Sequence, residues 1–104
     1  MPCAGKITAM SVSEHKIRKV ALFFGRVQGV GFRQTTVELA GAYKISGTVR
    51  NLPDGSVELI LEAAPERIEK ILRDIEKRFA GFITSITLQT QPVRGLLPGV
   101  RIIW

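Results

Sequence analysis

Apolar and polar positions follow two periods along this chain of 104 residues, and the switches between them mark out its elements. From Lys16 the pattern is regular. VALFF at 20–24 has the β-branched and aromatic content of a buried strand. Glycines at 25, 29 and 31 then break it. From Phe32 a helix follows, with Thr36, Leu39, Ala40 and Tyr43 at helical spacing. Gly41 inside it costs about 1 kcal/mol relative to Ala, so this helix relies on packing. KISGTVRN (44–51) reads as a short strand and PDG (53–55) as a turn. SVELILEA (56–63) alternates, placing Val57, Leu59 and Leu61 on one face and Glu58, Ile60 and Glu62 on the other. A second helix opens at Pro65. Ile68, Ile71, Leu72, Ile75 and Phe79 form its apolar stripe, and Gly81 is its stop. Glu66–Lys70, Glu69–Arg73 and Asp74–Arg78 are spaced as i,i+4 pairs along it. FITSITLQT (82–90) alternates again, QPVRGLLPG is a loop, and VRIIW (100–104) is a closing strand.

The order is βαββαβ plus one C-terminal strand. Two β-α-β units joined by a hairpin predict an α+β, ferredoxin-like sandwich: an antiparallel sheet with both helices on one face. Residues 1–14 lack any period and read as a loose N-terminal extension, with the folded domain over 15–104. That fold hosts many activities and decides none of them.

Composition narrows the classes. With 45% apolar residues the chain can bury one core, and its length suits one domain. Cys3 is the only cysteine, which excludes an intrachain disulfide and suits a cytoplasmic location. No apolar stretch approaches the roughly 20 residues that span a bilayer, and the first residues lack the apolar core of a signal peptide. Net charge is +6, and all of the excess lies in residues 1–50. A positive field there attracts anions, whether phosphates or nucleic acid.

The same half contains GRVQGVGFR (25–33), a glycine-rich loop between a strand and a helix start. Glycine allows close backbone approach and unusual dihedrals, so main-chain N–H groups can converge on an anion. The helix start adds unsatisfied N–H groups and the positive end of a dipole. Arg33 contributes a planar fork suited to phosphate oxygens. Generic phosphate motifs do not fit. No Lys–Ser/Thr pair follows the glycines, and Gln34 stands where a GxGxxG would need its third glycine.

GRVQGVGFR resembles the first signature of the acylphosphatase family, Gly-x-Val-Gln-Gly-Val-x-Phe-Arg, at every specified position. GTVRNLPDGSV (47–57) resembles its second, Gly-aromatic-Val-x-Asn-x-x-x-Gly-x-Val, with Thr48 in place of the aromatic. Phe23 and Ala63 also depart, standing where the family has a branched aliphatic and a glycine. The resemblance covers about residues 16–104, including a C-terminal strand that ends in an aromatic residue, here Trp104. It implies metal-independent hydrolysis of the carboxyl–phosphate bond of small acyl phosphates, with no cofactor and inorganic phosphate as product and inhibitor. Carried over by position, Arg33 binds the phosphate with a cradle formed by Gln28, Gly29, Val30, Gly31 and Phe32. Asn51 holds the attacking water. The Gln28 side chain is expected in hydrogen bonds that stabilise the loop, and His15 as an exposed group.

A non-catalytic nucleic-acid module is the main alternative, since ferredoxin-like sheets bind RNA through exposed aromatics. Only seven aromatic residues are available for that. A carbamoyl-phosphate-handling module is another. Arg18, Lys19, Arg26 and Arg50 read as solvated charges. The expected form is a cytoplasmic monomer acting on a small molecule, away from membranes.

Overall fold

A computed structural model describes residues 15–96 and 99–103. The expected extension at 1–14 and the terminal Trp104 lie outside the described residues. The elements are β1 (Ile17–Gly25), α1 (Phe32–Tyr43), β2 (Ser46–Asn51), β3 (Val57–Ala63), α2 (Pro65–Arg78), β4 (Ile83–Gln91) and β5 (Val100–Ile102). Each expected element is present, with boundaries displaced by a few residues. The first strand starts three residues earlier than expected, and the strand at KISGTVRN starts two residues later. Lys44 takes a left-handed conformation (φ 57°) that caps α1, and its N–H returns to the helix carbonyls. The strand therefore begins only at Ser46.

The five strands lie in the order β4-β1-β3-β2-β5. Pairing is antiparallel for β4-β1, β1-β3 and β3-β2, which interleaves the two β-α-β units. β5 adds to β2 in parallel, so the sheet is antiparallel through four strands and mixed at one edge.

Register explains the core. Ala21, Leu59 and Val49 stand side by side on one face and are fully buried. Their neighbours Val20, Ile60 and Thr48 stand on the other face and are only half-buried. Against the buried face pack Phe32, Thr36 and Ala40 of α1 and Ile68, Ile71 and Ile75 of α2. Both helices thus cover one side, as the βαββαβ order predicted. Each fully buried Ile or Phe side chain contributes about 1.5–3 kcal/mol.

Of the three expected helix pairs, Glu69–Arg73 closes at 3.7 Å. Asp74 turns inward instead and accepts the Tyr43 hydroxyl, tying α2 to the end of α1.

The outer face contains a buried ion pair that alternation alone did not reveal. Arg18, expected as a solvated charge, is only 7% exposed, and Glu62 only 4%. Arg18 Nη1 donates to Glu62 Oε2 at 3.0 Å and its Nε to Gln91 Oε1 at 3.2 Å. Glu62 also accepts the main-chain N–H groups of Arg94, Gly95 and Leu96 at 2.7, 3.0 and 2.9 Å. One carboxylate thus anchors the segment that carries the chain from β4 at one edge to β5 at the other. Burial alone would raise its pKa. The three N–H donors and Arg18 outweigh that and hold it below the ordinary carboxylate value.

Glu62→Ala leaves Arg18 buried without this partner and three N–H groups without this acceptor. It should cost about 3–5 kcal/mol of stability at neutral pH, measured by urea unfolding. A depressed carboxyl contributes stability that is present above its unfolded pKa and lost as pH falls through the folded value. Wild type should therefore lose stability in that acid window more steeply than Glu62→Ala.

Candidate functional site

β1, α1 and β2 deliver the motif residues to one end of the sheet. At Gly25 the strand stops because the chain must turn against its neighbour. Its φ is 123°, and a Cβ there would lie 2.2 Å from the Phe82 carbonyl oxygen. The next residue, Arg26, donates its N–H to that same oxygen at 2.8 Å. Only glycine fits this contact.

The loop then enters α1 through Gly31, the N-cap, with φ 82° and ψ 13°. No side chain caps the helix there, and its first turn contains no acidic residue. The first-turn N–H groups of α1 point out of the helix, and no acidic residue of that turn offsets the positive end of its dipole. α2 is built differently. Pro65 removes one such donor and Glu66 supplies a negative charge in the first turn.

Phe32 fixes where this opening points. Its ring is 1% exposed and packs between Phe23 of β1 and Phe79 at the end of α2, with centroids 4.9 and 4.8 Å away. With the ring committed to the core, Phe32 offers the site its main chain. Arg33, next along the helix, is half-buried.

A cavity of about 220 Å³ lies at this point, lined by Val27, Gly29, Gly31, Phe32, Arg33, Gln34, Asn51 and Ile102. It has room for several waters or a tetrahedral anion. Asn51, at the end of β2, brings its amide here. No described residue donates to its Oδ1, which is closed off from bulk solvent. Among the described residues this acceptor therefore has hydrogen-bonding capacity left over.

Of the expected site residues, Gly29, Gly31, Phe32, Arg33 and Asn51 meet at this cavity. The side chains of Gln28 and Val30 do not. Gln28 Nε2 donates to Leu52 O at 2.9 Å and to Ser56 O at 2.8 Å, joining the glycine loop to the turn after Asn51. Val30 lies at the loop's tip, 36% exposed.

Three lining residues were not singled out from the sequence. Val27 is a specified position of the first motif, and Gln34 follows Arg33, so local signals existed for both. Ile102 had none. It reaches the cavity because β5 pairs with β2 and sets it beside Val49, two residues before Asn51.

Among the described residues, no three His, Cys, Asp or Glu side chains cluster as a metal ion would require. Nor is any described helix long and apolar enough to cross a membrane. Arg50, expected as a solvated charge, is paired with Glu58 at 2.8 Å, whereas Arg26 is exposed. His15 is exposed, as expected.

The sequence model of the acylphosphatase family matches residues 19–96. An acylphosphatase of Trichormus variabilis is 45% identical over 64 residues, which make up 61% of this chain and 63% of that protein. The chain thus spans less than two thirds of that relative's length. An acylphosphatase of Paenarthrobacter aurescens is 34% identical over 93 residues, 88% of this chain and 99% of that protein. In fold, the chain is similar to the crystal structure of acylphosphatase from Bacillus subtilis. The TM-score is 0.76 at 24% identity, covering 85% of this chain and 99% of that one.

Two glycines of α1 and its cap make opposite predictions. Gly31→Ala forces a side chain into left-handed backbone and should lower stability by about 1 kcal/mol. Gly41 lies inside α1, and a Cβ there meets nothing within 4 Å. Gly41→Ala should therefore raise stability by about 0.5–1 kcal/mol in the same unfolding measurement.

Proposed function

The chain belongs to the acylphosphatase family, and from that premise we propose that it hydrolyses the carboxyl–phosphate bond of small acyl phosphates. The observation that carries this reading is the convergence on one cavity of an uncapped helix start, Arg33 and the amide of Asn51. The first two serve an anion. The third gives water a place beside it.

In this mechanism the N–H groups of the glycine loop and of α1's first turn, with Arg33, hold the equatorial oxygens of the phosphoryl group. They stabilise the charge that builds there during transfer. Asn51 orients a water in line with the bond to the acyl oxygen. A bond forms from water oxygen to phosphorus as the phosphorus–acyl oxygen bond breaks, and its electron pair leaves on the carboxylate. The conjugate acid of that leaving group has a pKa of about 4, so no general acid is required. The Asn51 amide is too weak a base to take the water's proton, which passes to a phosphate oxygen. The products are a carboxylate and inorganic phosphate.

The chemistry asks only for positioning and charge, so the reading includes independence from metals and cofactors. It extends to a cytoplasmic monomer, consistent with a chain whose single cysteine, Cys3, cannot form an internal disulfide.

The test is hydrolysis of a simple aryl acyl phosphate in excess EDTA. Wild type should turn over, and Arg33→Ala and Asn51→Ala should each lose at least ~100-fold in rate. Inorganic phosphate should inhibit competitively. An unchanged rate in either variant removes that residue's assigned role, and loss of activity with EDTA removes metal independence.

A further inference from the structure

The turn that follows Asn51 is closed by its own main chain. Leu52 N–H donates to Ser56 O at 2.8 Å and Gly55 N–H to Leu52 O at 3.1 Å. Yet it contains a second layer of hydrogen bonds. Asp54 Oδ1 accepts the N–H of Ser56 at 2.9 Å and its hydroxyl at 2.6 Å. Ser56 is 1% exposed whereas Asp54 is exposed, so the contact is part-buried and runs from the turn's surface to its base. The hydroxyl bond from Ser56 and then its N–H bond hold the Asp54 carboxyl below its ordinary pKa.

The two carbonyls of this turn, Leu52 O and Ser56 O, are the ones that accept Gln28 Nε2. Gln28 lies in the loop that leads to Arg33, and Leu52 immediately follows Asn51. One amide group therefore spans the two halves of the site. Its grip depends on both acceptors keeping their direction; Leu52 N–H holds the second directly, and the Asp54 contact holds the residue that carries it.

We propose that Asp54 and Ser56 are positioning residues. Acting through Gln28, they make the turn after Asn51 and the glycine loop before Arg33 one rigid unit, so that water and phosphoryl group stay aligned. The proposal rests on the acylphosphatase reading. Neither residue faces the cavity, so their effect is on alignment and not on affinity. Misplacing a reacting partner by a fraction of an ångström is enough to slow an in-line displacement.

The test has a kinetic arm and a binding arm. Asp54→Ala and Ser56→Ala should each lower kcat roughly 10-fold with KM within about twofold, at temperatures where unfolding controls show a folded protein. Asp54→Asn retains an acceptor oxygen and should recover most of that loss. In a Gln28→Ala background, Asp54→Ala should add little further, because the connection is already cut. Full kcat in folded Asp54→Ala, or full additivity with Gln28→Ala, overturns the proposal.

The binding arm follows hydrogen exchange at the Leu52 and Gly55 N–H groups with and without inorganic phosphate. Phosphate should slow both in wild type and neither in Gln28→Ala, while the loop itself remains protected in each. Exchange at the turn that ignores phosphate in wild type, or responds equally in Gln28→Ala, overturns the proposal. Failure of wild type to hydrolyse the acyl phosphate overturns the acylphosphatase reading instead, and the exchange arm then decides the brace alone.

Discussion

Phe32 is the residue on which the geometry of this protein turns. Its ring sits between Phe23 and Phe79, so a single side chain joins β1, the start of α1 and the end of α2. A helix N-terminus can serve an anion only if it cannot drift, because the dipole and the N–H groups act within one turn. Burying the ring of Phe32 supplies that immobility at the position next to Arg33. The core and the site are therefore one construction. The apolar residue anchors the helix, and the charged residue beside it faces the cavity.

The second half of the site is held by polar contacts. Asn51 ends a strand whose register against β3 is set by burial of Val49 and Leu59, and beyond it the chain enters an exposed turn. No apolar anchor is available there. Gln28, Ser56 and Asp54 do for this turn what Phe32 does for the helix. The cavity lies between an apolar support and a hydrogen-bonded one.

Much of this was legible along the chain. Alternation in SVELILEA and the helical stripe from Ile68 to Phe79 depend on local periodicity, and the structure follows them closely. The glycine loop was legible too, because positive φ at Gly29 and Gly31 leaves a compositional trace. What was not legible required knowing which strands are neighbours. Arg18 and Glu62 are 44 residues apart and look like ordinary surface charges until β1 pairs with β3 and the β4–β5 connection covers them. Ile102 is similar, a strand residue whose importance comes from lying beside β2. Thr48 shows the same limit. Its shorter side chain borders a cavity of about 130 Å³ shared with Gly47, Leu96 and Arg101, a volume that sequence alone could not locate.

The strand order β4-β1-β3-β2-β5 also has a kinetic side. The glycine loop leaves β1 and Asn51 ends β2, but these strands never touch, since β3 lies between them. The two signatures are close in sequence and come together only after a third segment, later in the chain, has inserted between their strands. β1 must further wait for β4, whose Gln91 pairs with Arg18 across 73 residues. Closing such loops precedes any gain from the contacts they make, which slows folding. A nascent or partly unfolded chain would therefore hold both motifs intact and still have no site. The proposed binding of phosphate would then report completion of the sheet and not merely the presence of the loop.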